Sequence, residues 1–436
     1  MNLIDLFCQN QQILDWKKNL NQKTRQLLMG LSGSTKALAI ASALDEHQKI
    51  LVMTSGYSEA EKLSSDLISL LGEEKVYNFL ADDAPMAEFI FSSQEKIYTR
   101  IGALNFLLDD NESGILVTNL SASRLFLPNP NELKSSIIEL KVGQEYNLDT
   151  LVNFLIKIGY RKESQVFNQG EFSLRGDILD IFDKDSISPY RLEFFGDEID
   201  RIRIFDSESQ TSIENLNQVL IHPANDILLS DEDYLRAQKK IEEAVKASQD
   251  NHLKSYLEEI LQDVKKRQLH PDSRKFLSYF YEKEWTILDY LPKHTPIFFD
   301  DFQKIIERNA QFEMEAATIL TEGLQSSKAV SNQKYFVNSY PDFRNYKPST
   351  FLSNFHKGLG NLKFDSLYQF NQYPMQEFFS QFLLLKDEID RYKKAGSTVI
   401  LQASSLSSLQ SLHKTLQEYD IQVEYINDRS EERRVG

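Results

Sequence analysis

Residues 170–206, GEFSLRGDILDIFDKDSISPYRLEFFGDEIDRIRIFD, constrain the fold more tightly than any other part of the chain. Two runs alternate apolar and polar residues, with short polar breaks between them. A period of two is the mark of strands buried on one face, and here it predicts an antiparallel meander. Gly176 falls inside the first run, and Gly196-Asp197 reads as a hairpin turn after Phe195. In the second run Leu192 and Phe194 share one face, while Arg191, Glu193 and Phe195 share the other. With the first pair packed inward, a guanidinium and a phenyl ring stand beside each other outside. Arginine and aromatic residues are the types that most often anchor protein interfaces. The face reads as a docking surface; the plainer alternative is a pair of arginines solvating an exposed sheet.

Elsewhere the pattern changes. Gln26–Met29, Lys49–Met53, Val76–Leu80 and Gly114–Thr118 read as strands, with helical segments at Lys36–Leu44, Glu59–Leu71 and near Ser93–Leu108. Strands alternating with helices predict a parallel sheet covered on both faces. Pro128, Asn129, Pro130 and Asn131 mark a boundary. A strand follows near Ser135, then a helix capped by Asn147 with Leu148, Leu151, Val152, Leu155 and Ile158 as its apolar stripe, ended by Gly159. From Ser230 to Gln268 the chain reads as a charged helical pair, and residues 325–360 read as irregular. A last α/β unit begins near Met375, with strands at Ser397–Ala403 and Ile421–Tyr425 around a helix at Ser405–Tyr419.

Gly30-Leu31-Ser32-Gly33-Ser34-Thr35-Lys36-Ala37 nearly matches the phosphate-binding loop GxxxxGK[ST]. The first glycine and Lys36 are present. Thr35 stands where the loop needs its second glycine, and Ala37 lacks the hydroxyl that ligates magnesium. The matching acidic strand end is Ile297-Phe298-Phe299-Asp300-Asp301, with Asp301 where an Asp-Glu box has glutamate. Gly30, Gly33 and Lys36 therefore read as a degenerate nucleotide loop, and Asp300 and Asp301 as its degenerate partner. The prediction is a nucleotide fold that no longer hydrolyses nucleotide.

These residues carry a resemblance. GEFSxRGxxxDIF, PYRxEFFGDEID and IRxFD resemble the second domain shared by UvrB, the nucleotide-excision-repair helicase, and the transcription-repair coupling factors, the Mfd family. UvrB would bring an intact loop and a tyrosine-rich hairpin. ADDAPMAEFIFSSQEKIYTRIGALNFLL has one tyrosine, Tyr98, and little room for that hairpin, which is similar to the coupling factors. The resemblance implies an α/β fold: a degenerate P-loop, helicase-like parallel sheet with an inserted α+β domain. By it, residues 1–133 are a UvrB-like domain 1a, 134–212 the UvrA-binding domain 2, 213–360 domain 1b with a helical insert, and 375–436 the start of a small α/β domain. The tail DRSEERRVG reads as a truncation point. The implied partner is UvrA, met by Arg175, Arg191 and Phe195. ATP and magnesium, RNA polymerase and duplex DNA would belong to motor and polymerase-interacting domains beyond this chain, which itself would hold no cofactor. The alternative is a UvrB-like ATPase that verifies DNA damage through Lys36 and Asp300.

Bulk properties agree with a recognition module. A net charge of −16 argues against a chain whose main work is gripping phosphates, and Lys265-Lys266-Arg267 and Arg391, Lys393, Lys394 lie in charge-mixed helices. Cys8 is the only cysteine, and no signal peptide or apolar run of spanning length is present, so a cytoplasmic protein without a membrane segment is expected. The seven histidines form no HxxxH or HExxH pair, no GxSxG occurs, and no metal or nucleophile is expected.

Overall fold

The computed structural model describes residues 3–20, 22, 24–44, 48–85, 93–353, 359, 361–372, 378, 381–401 and 406–423. Its largest element is a seven-stranded, all-parallel sheet in the order β15-β1-β14-β13-β2-β4-β3. The strands are β1 (Arg25–Met29), β2 (Lys49–Thr54), β3 (Val76–Phe79), β4 (Gly114–Asn119), β13 (Ile297–Asp300), β14 (Ser349–Ser353) and β15 (Ser366–Gln369). KILVMT and GILVTN are nearly continuous apolar runs because both faces of a parallel sheet are covered. Leu51, Leu116, Phe299 and Phe351 enter the core on one face; Ile50, Val52, Ile115 and Phe298 enter the other.

One expectation fails here. Within the stretch read as irregular, Ser349–Ser353 forms a wholly buried strand between β1 and β13, with parallel partners on both sides. STFLS has too few apolar residues to announce a central strand; its place is won by backbone pairing on two sides and by Phe351 and Leu352. Residues 213–360 therefore contribute β13 and β14 to the sheet begun by residues 1–133, and the two segments share one core.

The meander forms a second, six-stranded sheet ordered β11-β10-β9-β8-β7-β6. Its strands are β6 (Arg161–Lys162), β7 (Glu171–Arg175), β8 (Ile178–Ile181), β9 (Tyr190–Phe195), β10 (Glu198–Phe205) and β11 (Ser212–Leu216). Helix Leu148–Lys157, capped by Asn147, lays Leu151 and Leu155 on its inner face against Phe172, Leu179 and Leu192. Gly176 does not sit within a strand. With φ near +61° it makes the turn between β7 and β8, as Gly196 at +64° does between β9 and β10. The expected boundary at 212 coincides with the first residue of β11, and β12 (Gln218–Ile221) then pairs with β5 (Ile138–Lys141).

Helices Asp231–Ala247 and Asn251–Lys265 form the expected pair, started by a capping box at Ser230 and closed over Phe276 and Phe280. Lys265 pairs with Glu242, and Arg267, just past the second helix, pairs with Asp231. The last unit holds helices Phe382–Lys394 and Leu406–Glu418 around Leu385, Ile389, Leu416 and Ile421. Residues 397–401 and 421–423 form no strand; the rest of the two expected strands, and the tail DRSEERRVG, lie outside the described residues. Among the described residues no helix is long and apolar enough to cross a membrane.

Candidate functional site

Alternation along β9 fixes which residues face outward. Leu192 and Phe194 are buried, so Arg191, Glu193 and Phe195 must project from the opposite face. Phe195, beside the Gly196 turn, is 83% exposed. Strands β7 and β9 flank β8 and run in the same direction, so Arg175, beside the Gly176 turn, reaches the same end of the sheet. All three predicted residues thus share one face. An aromatic ring with no cover at a hairpin tip exposes apolar area that a partner can bury.

The two arginines are not equivalent to a free cation pair. Both converge on Asp180, whose side chain is 1% exposed. Arg191 Nε and Nη2 donate to its two oxygens at 2.7 and 2.8 Å, and Arg175 Nη2 donates to Oδ2 at 2.7 Å. Arg191 also donates to Gln210 Oε1 at 2.8 Å and lies over the Phe205 ring at 4.1 Å, leaving 14% of its side chain exposed. The hydrogen bonds that Arg191 donates to Asp180 hold its pKa above the ordinary value against the opposing effect of burial. Arg175 remains 48% exposed. Asp180 was missed as a site residue because in sequence it is one more polar position of an alternating run; the Asp180↔Arg191 ladder pair reveals its role.

The degenerate loop follows β1 and opens helix Ser34–Ala43 at the carboxyl end of the parallel strands, where open α/β sheets bind ligands. Asp300 ends β13 nearby, and Lys36 Nζ lies 2.6 Å from its Oδ1, both side chains about 15% exposed. The fold brings these two together as predicted chemistry requires, but they neutralise each other. Asp301 does not join them: it starts helix Phe302–Gln325 at φ +51° and sits 3.6 Å from Lys304. Ser32 N donates to Gln372 Oε1 at 2.8 Å and Ser32 O accepts from Gln372 Nε2 at 3.0 Å, so a loop amide that could face phosphate is already used. Gly30, at φ +82°, passes so near Phe370 that an added Cβ would lie 2.1 Å from its carbonyl oxygen. Gly33, at φ +57°, has open space around it. Ala37 is buried.

Comparison with known proteins agrees with this arrangement. Residues 138–226 match the family described as the UvrB interaction domain. Over 407 residues the chain is 31% identical to a transcription-repair-coupling factor of Bacillus subtilis, covering 91% of this chain and 34% of that protein. Transcription-repair-coupling factors of Staphylococcus epidermidis and Staphylococcus aureus are 28% identical over 91% and 93% of the chain. The chain matches the N-terminal region of the transcription-repair-coupling factors. It spans about a third of the length of the curated relatives it matches.

Within the region that matches the UvrB interaction domain, the motif residues divide by task. Gly170 has φ +77° and room for no side chain, because Tyr98 Oη would be 2.2 Å from a Cβ. Tyr98 donates to Gln169 O, so helix Gln94–Leu108 of the large sheet's layer is tied to the UvrB interaction domain. Residues 86–92, part of the stretch expected to lack a hairpin, lie outside the described residues. Arg100 joins the same junction through Asp226. One cluster was not foreseen: Asp183, Asp185 and His222 place ligand atoms within 4.8 Å of one another. Spacing could not show it, since His222 comes from the far end of the domain. Asp183 is saturated, accepting from Tyr160 Oη, His222 N and Asp185 N, with His222 Nδ1 at 3.1 Å. Burial pushes its pKa up, but the hydrogen bonds and charge of His222 outweigh this and hold it below the ordinary value. The cluster ties Tyr160 and the His222 backbone to Asp183 within residues 138–226.

Proposed function

We propose that this chain is the recognition part of a transcription-repair coupling factor, and that residues 138–226 dock UvrA for nucleotide excision repair. The observation that carries the reading is Phe195, 83% exposed at the tip of the β9–β10 hairpin, with Arg175 half-exposed on the same face. A partner pocket would bury the ring, and carboxylates on its rim would meet the arginines in charge-assisted hydrogen bonds. We assign no nucleotide turnover to the chain, because Lys36 is paired with Asp300 and Gln372 engages the loop. ATP-driven translocation with magnesium, and contact with RNA polymerase and duplex DNA, are proposed for the whole protein outside this chain.

The test is binding of the 436-residue chain to purified UvrA, wild type beside Phe195→Ala, at two salt concentrations. Saturable binding that Phe195→Ala weakens by about 2–4 kcal/mol, roughly 30- to 900-fold, is expected. No binding by the folded wild type, or equal binding by the variant, overturns the reading.

A further inference from the structure

Strands β7, β9 and β10 carry four arginines on the outer face, and their pairing singles out one. Arg175 and Arg191 share Asp180, and Arg203 pairs with Glu193. Arg201 is exposed and has no hydrogen-bond or ion-pair partner among the described residues. Its position follows from the ladder. In β10, Ile199 and Ile202 both point into the core, which a period of two does not allow without an extra residue. The register shift between Ile199 and Arg201 supplies it, with Asp200 as the residue inserted. Arg201 is thereby set opposite Glu193, on the same face as Phe195 and two pairs along the ladder from it. Without the shift, the alternation that buries Ile199 would turn Arg201 inward.

We infer that Arg201 is the uncommitted cation of this docking face and contacts a carboxylate of the protein partner beside the pocket that takes Phe195. The inference rests on the docking role proposed above. Arg191 enters as a positioning residue held by Asp180, whereas Arg201 can give its full donor set to a partner without leaving a buried acid behind. A carboxylate-bearing protein fits better than nucleic acid. Glu193 and Glu198 stand among these arginines and would repel phosphates, and an exposed phenyl ring needs an apolar pocket.

The experiment compares Arg201→Glu, Arg201→Lys and Phe195→Ala, each in the 436-residue chain, for binding to purified UvrA at low and high salt and to a short duplex DNA. Arg201→Glu should weaken UvrA binding at least tenfold at low salt, chiefly through a slower association rate, with a smaller loss at high salt. Arg201→Lys should restore most of the rate. Amide exchange in 171–205 should be unchanged, separating lost contact from lost structure. Binding by Arg201→Glu within twofold of wild type, while Phe195→Ala is impaired, overturns the inference and leaves the docking role intact. Unimpaired binding by Phe195→Ala overturns both. Loss confined to duplex DNA would make Arg201 a phosphate contact and also overturn it.

Discussion

Replacing Arg191 with alanine should damage the fold as well as the docking face. The guanidinium supplies two of the three side-chain hydrogen bonds that reach Asp180, at 2.7 and 2.8 Å, and the acid is 1% exposed. Removing one partner of a buried ion pair costs about 3–5 kcal/mol when nothing remains to compensate. Here Arg175 stays on Oδ2 and water can enter from its half-exposed side, so a local cost of about 2–4 kcal/mol is expected. Tryptophan fluorescence would not see it, because Trp16 and Trp285 both lie outside the meander. Hydrogen exchange of peptides within 171–205 would: lowering the opening free energy by that amount speeds exchange by roughly 30- to 900-fold. Phe195→Ala, which removes an exposed ring, should change the same peptides by less than about threefold, within the usual ±0.5 kcal/mol of surface substitutions. Adding Asp180→Asn to Arg191→Ala should recover part of the loss, since the stranded charge is then gone. Exchange in Arg191→Ala within threefold of wild type would refute the clamp and return Arg191 to a purely external role. Binding losses in Arg191→Ala are therefore mixed in origin, whereas those of Phe195→Ala are not.

Other outcomes follow from the same geometry. Lys36→Ala should strand the largely buried Asp300 and destabilise its end of the sheet by about 1–3 kcal/mol, read by exchange in 297–301. Millimolar Mg-ATP should protect neither wild type nor variant; saturable protection would restore the ATPase reading. Gly30→Ala forces a side chain into φ +82° and onto the Phe370 carbonyl, so a loss of about 2 kcal/mol or more and release of Gln372 from Ser32 are expected. Unchanged exchange in 366–372 would show that the close approach is not needed. Asp183 has a folded pKa below its ordinary 3.8, so its stabilisation is present above pH 3.8 and is lost as pH falls through the folded value. Asp183→Asn should thus be less stable than wild type at pH 7, with the gap closing in acid. A gap independent of pH would remove the charge from the explanation.

Features that depend on local chemistry were legible in the order of residues. Continuous apolar runs located β2 and β4, alternation located the meander and its outward face, and Asn147 and Ser230 located helix starts. The replacement of the phosphate loop's second glycine by Thr35 and of its hydroxyl residue by Ala37 was legible residue by residue. Features that depend on partners distant in sequence emerged only from the packed fold. β14 became a central strand because two neighbours satisfied its backbone, although STFLS carries little apolar signal. Arg191 became a strut because Asp180 lies opposite it, and Lys36 was neutralised by an acid 264 residues away. Alternation states which way a side chain points; it cannot state whether another charge is already waiting there. That difference separates Arg191, whose charge is spent inside the domain, from Arg201, whose charge faces outward unpaired among the described residues.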